Sequence, residues 1–251
     1  VIPLRDLNPR RRPPFVTVGL IVANAALFLY ELSLGPQGLE TFLFDTAFVP
    51  ARLFGEGGGS LGFEGASILL SMFLHGGWAH FLGNMLFLWV FGDNIEDELG
   101  HLRFVAFYLL AGYGAALAHA FANTHSALPA IGASGAIAGV LGAYLVLHPR
   151  APIVTLVFLG FFITTVRVPA LVYLPIWFLI QFVSGVASLG AATDTAATGG
   201  VAWFAHIGGF VAGPLLLFLL RQRGRAGRPP PRVPVVADRA RYRTDEPRRW
   251  R

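Results

Sequence analysis

Long apolar runs, broken by single polar residues and short Arg-bearing links, set the pattern of this chain. Runs close to the ~20 residues that cross a bilayer fall at Phe15–Leu34, Phe104–Ala122, Val168–Leu189 and Val201–Leu220, and Trp78–Phe91 with its flanks makes another. A shorter run, Ser134–Leu147, follows the stretch Pro129–Ala133. As a helix it covers only ~21 Å of a hydrocarbon core of roughly 30 Å, so it is predicted to start below the membrane surface. Non-helical backbone at that depth requires burial in protein or a wet cavity. Ile153–Val166 is apolar but short and bracketed by Arg150 and Arg167, and is read as interfacial.

Charge then fixes the direction of the runs. Arg5, Arg10, Arg11 and Arg12 precede the first, and eleven more Arg lie from Arg221 to Arg251. Six spans put both Arg-rich ends and the Arg-bracketed link on the cytoplasmic side, as the positive-inside rule requires. A seventh would move the tail outside. The expected fold is therefore an all-α polytopic membrane protein, a six-transmembrane-helix bundle with cytoplasmic N- and C-termini. It divides into a basic segment 1–14, a membrane domain 15–220 with an external loop 35–70, and an Arg/Pro-rich tail 221–251 expected to be disordered. The first run is too long for a signal-peptide core, and no small-residue cleavage site follows it, so a retained span is preferred. The Gly55–Ser60 stretch "GEGGGS" is expected to be flexible.

Composition agrees with a bilayer environment. Charged residues make up 13% of the chain, against about 25% in soluble domains, and the mean hydropathy is +0.61. Because the basic excess flanks apolar spans, it reads as a topology signal with some attraction to anionic lipid, not as a nucleic-acid surface. There is no cysteine, which removes disulfides and thiolate metal sites. Every basic residue is Arg, which points to GC-rich coding and hence a bacterial source; with the apolar spans, the expected location is a bacterial inner membrane.

Polar groups inside spans are costly and mark function. The second span opens with "HGGWAHFLGN", carrying His75, His80 and Asn84, the last two one helical turn apart and so on one face. The fourth opens at Ser134, and the sixth contains His206 in "FAHIGGFVAG". These three spans all run inward, so their polar groups share the outer leaflet, with Ser134 and His206 each about 9 Å deep. A serine hydroxyl becomes a nucleophile when a neighbouring base takes its proton, and His206 is the best-placed base. No acid lies on spans two to six at this depth. Asp194 sits in the loop before span six, and Asp93–Glu98 lies at the opposite face. A buried carboxylate is expensive, which favours a Ser–His dyad. His80, Asn84 and the Ser134 N–H, the last at a helix N-terminus, are candidate donors to an oxyanion.

Taken together, "HGGWAHFLGN", "GASGAIAG" and "AHIGGFVAG", in that order on spans two, four and six, resemble the rhomboid family of intramembrane serine proteases, over roughly Pro13 to Leu220. The resemblance implies a six-helix bundle that cleaves single-span membrane proteins in or beside their transmembrane segments. It assigns Ser134 as nucleophile and His206 as general base and later acid. His80 and Asn84 become oxyanion donors and His75 a structural histidine, with no cofactor and no metal. Gly132, Gly135, Gly209 and Gly213 fall in the same motifs as structural support, the last three at the small-residue spacing of close helix contacts. Two positions depart from the pattern. Ala66-Ser67 replaces a Trp-Arg pair of the external loop, and Ala138 stands where an aromatic often packs on the catalytic histidine.

Other readings are weaker. A zinc site from His75, His80 and His206 would lack an acidic ligand and an HExxH motif. A proteolytically inactive rhomboid-like binding protein would be expected to lack Ser134 or His206. A small transporter would spread its polar groups along a path, whereas these cluster in one leaflet.

Overall fold

The computed structural model describes residues 2–54, 61–160, 162–190 and 202–221. The elements run β1 (Ile2–Asp6), α1 (Phe15–Ser33), α2 (Gly35–Thr46), α3 (Pro50–Phe54), α4 (Leu61–Ser71), α5 (Trp78–Leu99), α6 (His101–Ala122), α7 (Ser134–Leu147), β2 (Pro152–Leu159), β3 (Phe162–Pro169), α8 (Ala170–Gly190) and α9 (Trp203–Leu220). The Gly55–Ser60 stretch, Asp194 and the tail beyond Arg221 lie outside the described residues.

Helices α1, α5, α6, α7, α8 and α9 alternate in direction between two ends. At one end α1 begins, α5 finishes and α9 finishes. The Glu96 carboxylate of α5 caps α1, accepting from the Val16 and Thr17 N–H groups, each at 2.8 Å, and from the Thr17 hydroxyl at 2.7 Å. This supplies the orphan donors of a helix whose own N-cap position is Pro14. Arg221 bonds Glu98 at 2.5 Å, and Arg10 approaches Asp93 at 3.4 Å. The Asp93–Glu98 cluster is thus consumed in closing this end. At the other end α1 finishes beside the start of α5, where the His75 N–H donates to the Glu31 carboxylate at 3.1 and 3.2 Å.

Three described helices are long and apolar enough to cross a membrane: Phe15–Ser33, His101–Ala122 and Trp203–Leu220. Ser134–Leu147 and Ala170–Ser184 are shorter apolar stretches.

The expectation of an all-α fold needs correction: the protein is mostly helical, with a three-stranded antiparallel sheet in the order β1-β2-β3. The segment Ile153–Val166, expected to be interfacial, falls in the β2–β3 hairpin. Its register closes on Leu159↔Phe162, leaving a two-residue connection in which Gly160 has φ +62°. Its Val, Ile, Thr and Phe residues suit strands, and a glycine in the middle supplies the positive φ such turns need. The basic segment 1–14 supplies β1, whose Asp6 accepts from Tyr144 at 2.8 Å and Asn94 at 2.9 Å. Burial pushes the Asp6 carboxyl up from its usual range, and these hydrogen bonds pull it partly back. Because β3 runs to Pro169, the fifth long helix starts at Ala170, two residues later than expected.

The described residues of segment 35–70, expected to form an external loop, include α2, α3 and most of α4. Without the Trp-Arg pair the segment is anchored by Phe48, buried against Ile68 and Ala120, and by a Tyr113 hydroxyl bond to the Gly65 carbonyl at 2.6 Å.

The tightest packing is between α7 and α9. A methyl on Gly209 would overlap the Gly135 carbonyl, one on Gly213 the Gly139 carbonyl, and one on Gly142 the Phe210 carbonyl. On the other flank of α7, a methyl on Gly135 or Gly139 would meet Ala115 or Ala111 of α6 at 2.7 and 2.6 Å. Backbone rests on backbone, as in small-residue membrane interfaces. Gly213→Ala is therefore expected to lower stability by about 2–3 kcal/mol. Gly19→Ala, on α1 with nothing within 4 Å, should leave stability unchanged or slightly raised. Thermal unfolding in detergent micelles measures both.

Candidate active site

Ser134 is the first residue of α7 and His206 lies in the first turn of α9. The glycine contact lays these N-terminal ends together, and Ser134 Oγ stands 2.8 Å from His206 Nε2. Residues 72 apart in sequence and predicted at matching depth therefore meet at hydrogen-bond distance. His206 is buried, while Ser134 is partly accessible.

The backbone leading into Ser134 is not helical, and its polar groups are satisfied by the external loop. Ala130 N–H donates to the Phe48 carbonyl and Gly132 N–H to the Ser71 carbonyl, both at 2.8 Å. The Ser71 hydroxyl accepts from Phe48 N–H at 2.7 Å. Burial in protein is what an irregular segment needs at the depth predicted for it from the sequence. Gly132 has φ +123°, a region that disfavours side chains. Space confirms the requirement: a methyl there would lie 2.6 Å from His80 Nε2 and 3.6 Å from Ser134 Oγ. His80 and the serine thus flank one glycine.

Asn84 follows His80 by one turn of α5 and is buried, its Nδ2 without a hydrogen-bond partner. An unused donor in a buried place is unusual. The α7 N-terminus has no side-chain cap, which leaves its first N–H groups available. A cavity of about 40 Å³ beside Ser134, lined by Ser71, His119, Gly132 and Ala205 among others, is large enough for water.

His75 sits behind His80, ring centroids 5.2 Å apart, and packs edge-on against Phe28 and Phe81. Its Nδ1 lies 3.2 Å from the Phe73 carbonyl. Among the described residues no group of three or more His, Cys, Asp or Glu has metal-binding geometry.

Two residues that sequence reasoning missed complete the surroundings of His206, and both come from α8. Gln181 Oε1 lies 2.7 Å from His206 Nδ1. The Trp177 ring lies 5.8 Å from the imidazole at 39°. Trp177 therefore stands in for the aromatic absent at Ala138, where Gly209 packs too closely to leave room for a ring. The available signal was a lone amide in an apolar span, one turn after a tryptophan.

A family model described as the rhomboid domain matches residues 63–223. The chain belongs to the rhomboid family. It is 34% identical over 167 residues to RHOMBOID-like protein 4 of Arabidopsis thaliana, covering 66% of this chain and 36% of that one. RHOMBOID-like protein 1 of the same plant is 29% identical over 236 residues, covering 85% of this chain and 55% of its own. Rhomboid protease GluP of Bacillus subtilis is 34% identical over 136 residues, covering 53% of this chain and 24% of its own. The chain thus spans between about a quarter and just over half of the length of these relatives. Family and apolar helices together make it a membrane protein, and the family points to intramembrane proteolysis.

Proposed function

We propose that the protein is an intramembrane serine endopeptidase working through a Ser134–His206 dyad. The 2.8 Å approach of Ser134 Oγ to His206 Nε2 carries this reading. In the first step His206 Nε2 takes the hydroxyl proton as Oγ bonds to the scissile carbonyl carbon. The oxyanion is received by Asn84 Nδ2, His80 and the Ser134 N–H. His206 then returns the proton to the departing amine as the C–N bond breaks, leaving an acyl-enzyme. Water from the cavity beside Ser134 attacks the ester carbonyl as His206 takes its proton; His206 then passes that proton to Ser134 Oγ as the C–O bond breaks, releasing the acid product and restoring the serine. Preorganised donors in a low-dielectric site supply much of the barrier reduction.

The membrane arrangement follows the charge pattern. Six alternating helices, with Arg10 and Arg221 at the end away from the dyad, support six spans and cytoplasmic termini. The reacting groups then face the outer leaflet. An Arg-only basic composition and a Bacillus relative support a bacterial inner membrane. Substrates are single-span proteins whose helix loosens near small or helix-breaking residues. They enter laterally past α8, where Pro175 interrupts the helix ladder.

Proteolysis of a model single-span substrate in liposomes tests the reading. Ser134→Ala and His206→Ala should each abolish cleavage, and Asn84→Ala should lower kcat by about 10²–10³-fold. An inert parent protein would favour a binding-only rhomboid, and continued cleavage by either dyad variant would refute the mechanism.

A further inference from the structure

We infer that Gln181 is a third member of the reacting group, a positioning residue that holds His206 in the tautomer that activates Ser134. The inference rests on the proposed dyad. A neutral imidazole carries one N–H. To accept the Ser134 proton at Nε2, His206 must carry its own proton on Nδ1. Gln181 Oε1, 2.7 Å from Nδ1, is an acceptor there and has no proton to give. The two hydrogen bonds at opposite ring nitrogens therefore specify one direction: Ser134 hydroxyl to Nε2, and Nδ1–H to the amide oxygen.

The setting argues against an incidental contact. Gln181 is buried and interrupts an apolar stretch of α8, "LIQFV", where a polar side chain is costly without a partner. Trp177, one turn earlier on the same face, packs on the same imidazole. One helix thus presents both an acceptor and a ring to the base. Nε2 is left to the serine, and the plane of the imidazole is fixed from two sides. A soluble triad gives this task to a carboxylate, which also stabilises the imidazolium. An amide holds the tautomer without burying a charge among apolar helices. The cost of a missing acid is met by α8, an element outside all three sequence motifs.

Gln181→Met keeps shape and removes the acceptor; Gln181→Glu keeps an acceptor oxygen in either protonation state. With the single-span substrate, the Met variant is expected to lose about 100-fold in kcat, the lower end of what general-base catalysis contributes, with KM nearly unchanged. The Glu variant should recover most of that loss. In ¹⁵N-histidine-labelled parent protein, His206, assigned by difference from His206→Ala, should be protonated at Nδ1 and unprotonated at Nε2, a readout independent of turnover. Wild-type kcat in the Met variant, while Ser134→Ala and His206→Ala are dead, would overturn the role of Gln181 and leave the dyad standing. An Nε2-protonated His206, with Gln181 donating its amide N–H to Nδ1, would overturn it equally. Should the Met variant unfold, the Glu variant and the tautomer still decide the matter.

Discussion

Close backbone contact between α7 and α9 is the constraint on which the rest depends. Gly135 against Gly209, and Gly139 against Gly213, let the two helices meet with no side chain between them. Only at that separation can a side chain as short as serine reach the imidazole of the neighbouring helix. Apolar driving force is weak between helices in lipid, so shape has to supply the association. Alanines do similar service on the α6 side, through Ala111 and Ala115. The small residues that look like mere packing are thus what bring Ser134 and His206 within hydrogen-bond distance, the geometry that the proposed dyad needs.

The second constraint is that polar atoms in apolar surroundings need partners. Each end of the bundle answers it differently. Away from the dyad, Glu96 closes the start of α1, and Asp6 takes hydrogen bonds from Tyr144 and Asn94. Near the dyad, Glu31 receives the His75 N–H, and the external loop satisfies the chain entering α7. His206 has Ser134 on one nitrogen and Gln181 on the other. Asn84 Nδ2 is among the buried atoms left without a partner, as are His75 Nε2 and the Tyr108 hydroxyl; of these, Asn84 shares a helix face with His80, beside Ser134, which is why it is the one proposed to receive charge developing there.

Much of this was legible in the sequence because membrane helices are written in long runs and their exceptions are conspicuous. Ser134 and His206 are isolated polar groups at computable depths, and the motif spacing brings His80 and Asn84 onto one face. What escaped has a common cause: it depends on contacts between segments distant in sequence. Gln181 looks like any stray amide until α8 is laid beside α9. The β2–β3 hairpin has an apolar composition that also fits an interfacial segment, and pairing with β1, some 150 residues away in sequence, is what makes it a sheet. Its branched residues and central Gly160 were the local signal. The helices of the external loop were hidden for a similar reason, since Phe48 and Tyr113 anchor them only through the tertiary fold.

The most direct test of the central claim, that His206 makes Ser134 a nucleophile, is to map a fluorophosphonate adduct by tandem mass spectrometry in the folded, membrane-reconstituted protein. A single phosphonyl adduct is expected on Ser134, lost in His206→Ala although the serine remains. No adduct, an adduct on another residue, or undiminished labelling without His206 would contradict it.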